Sequence, residues 1–380
     1  MDLSFNEDQI EIARQARRFL DNECPMDKVR LLLEDEHGCT DELWSKMAEM
    51  GWMMLRIPES YDGMGLDLLD LCVVLIEMGR TALPGPFFST VLLAAETLLE
   101  TGSDHQKQAF LSRIASGDIR GTLALHEPAG GAVPGYVQME ARADGDGYIL
   151  NGVKGFVPDA HGADFIICAA RTMPGNDPAE GISLFLLNRE TPGVSVNLLK
   201  TMDQGRKLCE VHFDKVRLPR QAVLGEVHRG WAPLRRVLQR AQVGLCAESV
   251  GGAQRAMEMA VEYAKIRHQF DQPIGSYQAI KHRCAQMLLE VEGSRSVLYW
   301  AAWAQDHGSS EEAELAASVA KTYCSETFRN VSAGAIQVLG GTGFTWEHDM
   351  HIYLKRAKAN EVALGDPAYH REEVARLIGC

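Results

Sequence analysis

Hydrophobic and polar positions divide the chain into three stretches with different periods. In the first stretch, apolar residues recur at helical spacing, as in "EDQIEIARQARRFLDNE", where Ile10, Ala16 and Leu20 share one stripe after a plausible N-cap at Asn6. Two further segments, "LDLLDLCVVLIEMGRTAL" and "STVLLAAETLLETG", are apolar nearly all round, which is typical of helices buried inside a bundle. The pattern predicts an N-terminal helical bundle over residues 1–117.

The second stretch, residues 118–224, consists of short β-rich runs separated by turns such as "ADGDGY" and "MPGNDPAEG". Strands of this length and spacing, bounded by Gly, Asp, Asn and Pro, are typical of an all-β barrel or sandwich. Seven runs fit the pattern: "GTLALHE", "VQMEARA", "GYILNG", "DFIICAAR", "ISLFLLN", "GVSVNLL" and "CEVHFDKVRLP".

From residue 225 to residue 380 the helical period returns in longer segments, each long enough for one member of a four-helix bundle. The order helical, β, helical predicts a multi-domain α+β fold with an N-terminal helical bundle, a central β-barrel or sandwich and a C-terminal four-helix bundle. Because strands and helices do not alternate, a doubly wound nucleotide-binding sheet is excluded. The chain also has no G-x-G-x-x-G after a strand, no Walker loop and no HExxH.

Composition narrows the class of protein. A chain of 380 residues with 46% hydrophobic content can bury two or three cores. The formal charge of −14 argues against nucleic-acid binding, which needs a basic face. Nine scattered cysteines without a CxxC pair indicate reduced thiols and no metal site. With no signal-peptide pattern and no long apolar run, the sequence predicts a cytoplasmic protein without a membrane span.

Three motifs carry a resemblance to a known family. They are "LALHEPAGG" (123–131), "EYAKIRHQFDQPIGSYQAIKHRCAQM" (262–287) and "AIQVLGGTGF" (335–344). Together with the order of the three stretches, they resemble the acyl-CoA dehydrogenases, and the resemblance covers essentially the whole chain. It implies an FAD cofactor bound between the β domain and the C-terminal bundle, in a tetramer built as a dimer of dimers.

The resemblance also implies a reaction and its partners. Such enzymes remove the α-hydrogen of an acyl-CoA as a proton while the β-hydrogen leaves as a hydride to the flavin. Electrons then pass to an electron-transfer flavoprotein. The substrate pocket of relatives is lined by helices that resemble residues 66–102, but the acyl group cannot be deduced from this sequence.

At the C-terminal bundle, the motif matches assign cofactor contacts to Arg267, Phe270, Gln278, Gln337, Gly340 and Gly341. The guanidinium of Arg267 would reach the FAD pyrophosphate across a subunit interface, since its fork suits phosphate oxygens. Glycines such as Gly340 let backbone approach a ligand closely. The alternatives remain open: an exposed helix arginine in an ion pair with a residue one turn away, and a glycine pair that only ends a helix.

In the β domain, the resemblance places His126 where relatives have Thr or Ser beside the flavin ring. Phe156, Val157 and Pro158 match the Trp, Ile and Thr of a flavin-contacting strand. Phe156 could still cover the flavin face, but Pro158 lacks the hydroxyl and N–H that usually bind the ring. We therefore expect flavin recognition here to differ. His126 could equally be a hydrogen-bonded core histidine.

The catalytic base is the unusual feature of this sequence. Abstraction of a thioester α-proton needs a positioned general base. Relatives place a glutamate at one of two positions, which here are Leu364 and Ala241. Glu248 lies seven residues, or two helical turns, after Ala241 and is the candidate for a relocated base. Paired with an arginine, it would instead be structural, and the same holds for Glu361.

Four hypotheses follow. The chain could be the base-lacking subunit of a heteromeric enzyme, in which a paralogous subunit supplies the glutamate, or a homomeric dehydrogenase with Glu248 as a relocated base. It could also be a flavin-dependent enzyme with an altered reaction. From a different class, it could be a non-catalytic helical interaction protein. Retained cofactor motifs beside a lost base favour the first.

Overall fold

The structure, a computed structural model, describes residues 5–380. Its N-terminal region is helical, as predicted. The α-helices here are α1 (Glu7–Glu23), α2 (Met26–Glu34), α3 (Asp41–Glu49), α4 (Leu68–Thr81), α5 (Glu96–Thr101) and α6 (Asp104–Ala115). A fully buried π-helix, Phe88–Ala95, runs directly into α5 where the sequence predicts ordinary helix.

Helix α1 shows what the periodicity predicted well and what it did not. The Asn6 side chain accepts a hydrogen bond from the Gln9 backbone N–H at 2.8 Å, and the Gln9 side chain accepts one from the Asn6 backbone N–H at 3.1 Å, which confirms the N-cap. Ala16 and Leu20 are fully buried. Ile10 was expected beside them but is 56% exposed. The neighbouring Gln9 is buried instead, and its amide donates to Asp70 at 2.9 Å.

The central region is a β domain, and each of the seven predicted runs contains a strand. The strands are β1 (Gly121–Ala124), β2 (Glu140–Asp144), β3 (Gly147–Pro158), β4 (Phe165–Arg171), β5 (Ile182–Asn188), β6 (Val194–Leu199), β7 (Leu208–Pro219) and β8 (Val223–Leu224). The sheet order is β6-β7-β3-β2-β4-β5-β8, with β1 beside β4. Strands β1 and β2 pair with β4 in parallel, and the remaining pairs are antiparallel.

Strand β3 contains a bulge near its end. Lys154 pairs with Val211 and Val157 pairs with Cys209, so two residues of β3, Gly155 and Phe156, lie opposite a single residue of β7. Phe156 has a φ of 51°, in the left-handed region that a bulky side chain rarely adopts. Bulges re-aim side chains next to functional sites. Here the bulge leaves Phe156 54% exposed, whereas its neighbour Val157 is buried.

The C-terminal region is a helical bundle, also as predicted. Its elements are α7 (Trp231–Ile266), β9 (His268–Gln269), β10 (Gln272–Pro273), α8 (Gln278–His307), α9 (Ser310–Leu339), α10 (Met350–Val362) and α11 (Pro367–Ile378). Helices α8 and α9 run antiparallel, because Gln305 bonds Ala313 at one end while Gly334 lies against Arg283 towards the other. Within residues 5–380, no helix is both long and apolar enough to cross a membrane.

The chain packs as two compact units that do not follow chain order. The bundle unit combines residues up to Leu31 with Asp67–Leu83 and Gln242–Cys380, and the sheet unit combines Leu32–Leu66 with Pro84–Ala241. The domain boundaries expected from sequence, 1–117, 118–224 and 225–380, stay predictions. All nine cysteines are free thiols, in keeping with the absence of any CxxC pair.

Backbone contact between α4 and α7 organises the bundle unit. A Cβ atom at Gly251 would lie 1.8 Å from the carbonyl oxygen of Ile76, and one at Gly79 would lie 2.0 Å from that of Glu248. Only glycine permits so close an approach of two helices. The contact fixes α7 at Glu248, the residue considered as a relocated base.

Candidate functional site

The six candidate cofactor residues of the bundle unit gather at one end of it. Arg267 and Phe270 follow the C-terminus of α7, Gln278 begins α8, and Gln337 lies in the last turn of α9. Because α8 and α9 run antiparallel, the start of α8 and the end of α9 lie at the same end of the bundle. The structure therefore brings together residues that are up to 74 positions apart in the sequence, 267 to 341.

Arg267 and Phe270 are exposed at this end. Within residues 5–380, the Arg267 guanidinium has no hydrogen bond or ion pair, so the alternative of a partner one helical turn away is not realised. Phe270 has a φ of 51° and is 87% exposed, with its ring centroid 6.4 Å from that of Tyr277. An unneutralised guanidinium beside an exposed aromatic ring suits a ligand that carries phosphate and a planar base.

The glycines after α9 leave open backbone at the same end. Gly340 has a φ of 62°, and a Cβ atom at Gly340 or Gly341 would meet no atom within 4 Å. Gln337 is exposed one turn earlier. The Gly340 N–H donates to the Ile336 carbonyl, so what the two glycines offer is open space in which a ligand can approach the backbone closely.

The candidate residues of the sheet unit lie on two adjacent segments. The backbone N–H of Gly155 donates to the His126 carbonyl at 2.9 Å, which holds the segment around His126 against the bulge of β3. Phe156 projects from this bulge. The Val157 side chain is buried in the β core, so it does not face a ligand. The Pro158 carbonyl already accepts from the Thr122 hydroxyl at 2.5 Å, and proline has no N–H to offer.

His126 is a neutral imidazole at pH 7. Burial lowers its pKa, and the positive charge of Lys154 lowers it further, against a hydrogen bond with the Gly130 backbone that raises it. A neutral imidazole offers one donor and one acceptor. Part of the His126 surface is accessible, and its role as a flavin contact or as a hydrogen-bonded core histidine stays a prediction.

A buried ion pair beneath these segments was not anticipated from sequence. The Lys154 ammonium lies 2.6 Å from Glu127 and donates to the Leu125 carbonyl at 3.1 Å. The same Glu127 oxygen accepts from the backbone N–H groups of Gln138 and Met139 at 3.0 and 2.9 Å. A lysine inside the apolar strand "ILNGVKGFV" was the available signal, since a buried lysine requires a partner.

The turn at Leu364 is the second strained position. Leu364 has a φ of 58°. Its carbonyl accepts from the Gln242 amide at 3.1 Å and from His370 Nε2 at 3.0 Å. Lys321 Nζ donates to the carbonyls of Glu361 and Gly365 at 3.1 and 2.8 Å. All these donors bind backbone, so the turn is held regardless of the side chain at position 364.

The two titratable groups that hold this turn are both buried. Burial lowers the Lys321 pKa to about 8, against the nearby thiols of Cys246 and Cys324, which raise it. Burial, helped by the charge of Lys321, lowers the His370 pKa to about 4. Since Leu364 offers only a carbonyl, Nε2 of the neutral His370 carries the proton. The other ring nitrogen lies 3.3 Å from the Ser318 hydroxyl.

The candidate carboxylates for a relocated base are both next to cations. Glu248 is buried, with its carboxylate 3.9 Å from the Arg356 guanidinium. Glu361 bonds Arg329, and Lys358 at 3.1 Å. An adjacent cation gives each carboxylate the partner that a structural ion pair needs. This geometry favours the structural alternative for both residues, and Glu248 as a base stays a prediction.

Comparison with known families decides the identity of this chain. Residues 6–118 match the N-terminal domain of acyl-CoA dehydrogenase, residues 122–216 match its middle domain, and residues 228–379 match its C-terminal domain.

The chain belongs to the acyl-CoA dehydrogenase family.

Individual relatives agree with this assignment. The chain is 32% identical over 353 residues to the human mitochondrial short-chain specific acyl-CoA dehydrogenase, covering 91% of this chain and 83% of the relative. The structure resembles butyryl-CoA dehydrogenase from Megasphaera elsdenii with a TM-score of 0.91, at 26% identity and full coverage of both chains. It also resembles the ChsE4–ChsE5 complex from Mycobacterium tuberculosis, with a TM-score of 0.89, 28% identity and coverage of 100% and 99%.

As an acyl-CoA dehydrogenase, the protein is a flavoprotein oxidoreductase with FAD as its cofactor. The donor groups described above fit that cofactor chemically. The free guanidinium of Arg267 and the open backbone at Gly340 and Gly341 suit a diphosphate, and the exposed ring of Phe156 suits an aromatic ring system. Pro158 departs from this fit because it has no N–H to donate, and the buried side chain of Val157 does not take part in it.

Proposed function

We propose that this acyl-CoA dehydrogenase performs α,β-dehydrogenation of an acyl-CoA thioester as one subunit of a heteromeric enzyme. A paralogous chain supplies the glutamate base. The observation that carries the proposal is the turn at Leu364. Its backbone carbonyls accept hydrogen bonds from Gln242, Lys321 and His370, but its leucine side chain cannot accept a proton. Ala241, at the other position that relatives use, is buried and equally inert.

The cofactor residues divide between the two compact units. In the bundle unit, Arg267 and the Gly340–Gly341 backbone bind the diphosphate of an FAD held by a neighbouring subunit. Phe270, Gln278 and Gln337 complete that contact. In the sheet unit, His126 and Phe156 contact the flavin ring, while Val157 and Pro158 shape the segment through backbone. The exposed guanidinium, open glycines and projecting Phe156 support these roles.

The division of labour follows from the chemistry. Bound FAD would supply the acceptor for the β-hydrogen of the acyl group, and an electron-transfer flavoprotein would receive the electrons. The α-proton must go to a carboxylate, which this chain lacks at both family positions. This chain therefore helps to bind and enclose the FAD, and the glutamate of its partner chain abstracts the α-proton. A complex of two different chains, ChsE4 and ChsE5, is among the solved structures that it resembles.

The second candidate is a homomeric dehydrogenase with Glu248 as a relocated base. One observation favours it: Glu248 is a carboxylate in an apolar stretch of α7 and is buried. The neighbouring Arg356 argues against it, since its guanidinium lies 3.9 Å from the Glu248 carboxylate, as expected for a structural ion pair. A flavin-dependent enzyme with an altered reaction is the third candidate, and it also follows from the missing base.

The deciding experiment is purification of the chain alone and together with a base-carrying paralogue from the same source. FAD content and acyl-CoA-dependent bleaching of the flavin are measured in each preparation. We expect bleaching only in the mixed assembly, and its loss when the partner's glutamate becomes glutamine. Turnover by this chain alone would rule out the heteromer. If Glu248→Gln then abolished that turnover, the relocated base would be established instead.

A further inference from the structure

The buried pair Lys154–Glu127 has no role in the proposed chemistry, yet it joins the segments that carry His126 and Phe156. The Lys154 side chain is 0% exposed. Its ammonium contacts the Leu125 carbonyl and the Glu127 carboxylate, the residues on either side of His126. Two residues further along β3 is Phe156, at the strained bulge. One ammonium group thus links the segment around His126 to the strand that carries Phe156.

Glu127 extends this connection to a third segment. The carboxylate oxygen that meets Lys154 also accepts from the N–H groups of Gln138 and Met139, which precede β2. Three donors on one oxygen define the position of the carboxylate closely. Around it, His126 is held at its carbonyl by Gly155 at 2.9 Å. The chain on both sides of His126 therefore has little freedom to move.

Stability alone is a poor reason for such a pair. Removing two charges from water costs several kcal/mol per ion, and replacing a buried pair with apolar side chains is often neutral or stabilising. A pair that gives little net stability but fixes several backbone segments is better explained by positioning. The strain at Phe156 also supports a positioning role, because a bulky residue at positive φ persists only where its surroundings hold it.

We propose that Lys154 and Glu127 are positioning residues that hold the His126 segment and the Phe156 bulge in the geometry that receives the flavin. They act through backbone and do not themselves touch the cofactor. This inference rests on the proposed assignment of His126 and Phe156 as flavin contacts. Its consequence is that FAD affinity depends on the pair independently of the stability of the fold.

Two variants separate positioning from stability. Glu127→Gln leaves the lysine charge buried without a counter-charge, so it loses both stability and FAD affinity. The double variant Lys154→Met/Glu127→Gln removes both charges, and its glutamine oxygen can still accept from Gln138 and Met139. We expect the apo form of the double variant to recover most of the stability lost in Glu127→Gln, because no uncompensated charge remains. The bond from Lys154 to Leu125 is still missing, so its FAD affinity stays low.

Each variant is made in the full chain, purified in its native assembly, stripped of flavin and titrated with FAD. We expect the dissociation constant for FAD to rise about ten-fold or more in the double variant, equivalent to about 1.4 kcal/mol. The resolved absorption bands of bound flavin should broaden as well. Glu96→Gln is the matched control, because Glu96 is equally buried and lies 3.1 Å from both Arg56 and Arg240. It should lose stability but keep its FAD affinity within about two-fold.

The outcomes are distinct. A double variant that binds FAD as tightly as the wild type, with unchanged absorption bands, would overturn the inference and leave the proposed function standing. So would FAD affinities that follow stability across all variants, including Glu96→Gln. A wild-type assembly that fails to bind FAD at all would instead remove the proposed function and the inference with it.

Discussion

Two bulky residues at positive φ, one in each compact unit, both lie near a buried lysine, but the two lysines have different partners. Phe156 and Leu364 are bulky residues in the left-handed region, at φ values of 51° and 58°. Phe156 lies two residues after the fully buried Lys154, which donates to the Leu125 carbonyl. Leu364 precedes Gly365, whose carbonyl accepts from the fully buried Lys321. Both arrangements hold backbone rather than the strained side chain.

The difference is the partner of the lysine. Lys154 has a carboxylate at 2.6 Å, whereas Lys321 donates to the backbone carbonyls of Glu361 and Gly365. With dipoles in place of a full negative charge, burial lowers the Lys321 pKa to about 8. The turn at Leu364 is thus held through its backbone carbonyls, while its leucine side chain carries no group that can accept a proton.

The largest expected effect comes from placing a carboxylate on the turn at Leu364. Because the donors around the turn bind backbone, Leu364→Glu should present a carboxylate without rebuilding the turn. A positioned general base contributes about 10²–10⁴-fold to rate, so we expect a gain of this order in acyl-CoA-dependent flavin reduction by this chain. The rate is measured by anaerobic stopped-flow absorbance. Val362→Glu, on the exposed end of α10, is the control and should gain nothing. Equal, unimproved rates in both variants would contradict the account of the turn.

The two lysines should differ when each is replaced by methionine. Lys154→Met leaves Glu127 buried without its counter-charge and should cost about 3–5 kcal/mol in free energy of unfolding. Lys321→Met leaves only two carbonyls unbonded and removes a poorly solvated charge, so its cost should be about 1–3 kcal/mol. Denaturant unfolding at pH 7 measures both. A larger loss of unfolding free energy in Lys321→Met than in Lys154→Met would contradict the proposed difference between the two lysines.

Acid should weaken the turn through His370. Its pKa is about 4 in the folded protein and about 6.5 when unfolded, so the unfolded state binds the proton first as the pH falls. Stability from this group is therefore present above pH 6.5 and declines towards pH 4, by about 3 kcal/mol in all. His370→Gln should flatten this part of the stability profile, measured by unfolding between pH 4 and pH 7. His105→Gln, on the exposed side of α6, should leave the slope as it is; an unchanged slope in His370→Gln would refute this part of the account.

The smallest expected effect tests the strain itself. Leu364→Gly relieves about 1–2 kcal/mol of left-handed strain and costs about 0.5–1 kcal/mol in chain entropy, so a net gain of up to about 1.5 kcal/mol is expected. Ala363→Gly is the matched control, because Ala363 has an ordinary φ of −66° and should only lose stability. The two free energies of unfolding are compared under the same conditions. If both glycines destabilise equally, Leu364 is not strained.

Local patterns in the sequence predicted most of the fold. Asn6 caps α1 because capping depends on residues three positions apart, and all seven β-rich runs contain strands because alternation and turn residues act locally. The π-helix at Phe88–Ala95 was not predicted, since a fully apolar segment carries no period that separates it from an ordinary helix. The exposure of Ile10 was not predicted either, because periodicity identifies the apolar face of a helix but not how much of that face is covered by other elements.

The candidate site could be predicted only in part. Motif matches located Arg267, Gly340 and Phe156, but the residues that shape the site act over long separations. Lys154 meets a carboxylate 27 positions away, and Lys321 meets a carbonyl 44 positions away. Nothing in a local pattern specifies such pairs. Positive φ at Phe156 and Leu364 was equally hidden, because these residue types normally avoid that region.

The flavin content of the natively purified assembly tests the central claim most directly. The account predicts a yellow protein with tightly bound FAD, and loss of that FAD when Arg267 is replaced by methionine. Arg255→Met, which removes an arginine already bonded to Glu262 at 3.1 Å, should keep its flavin. A colourless wild-type assembly that takes up no added FAD would contradict the account, and so would an Arg267→Met variant that holds FAD as firmly as the wild type.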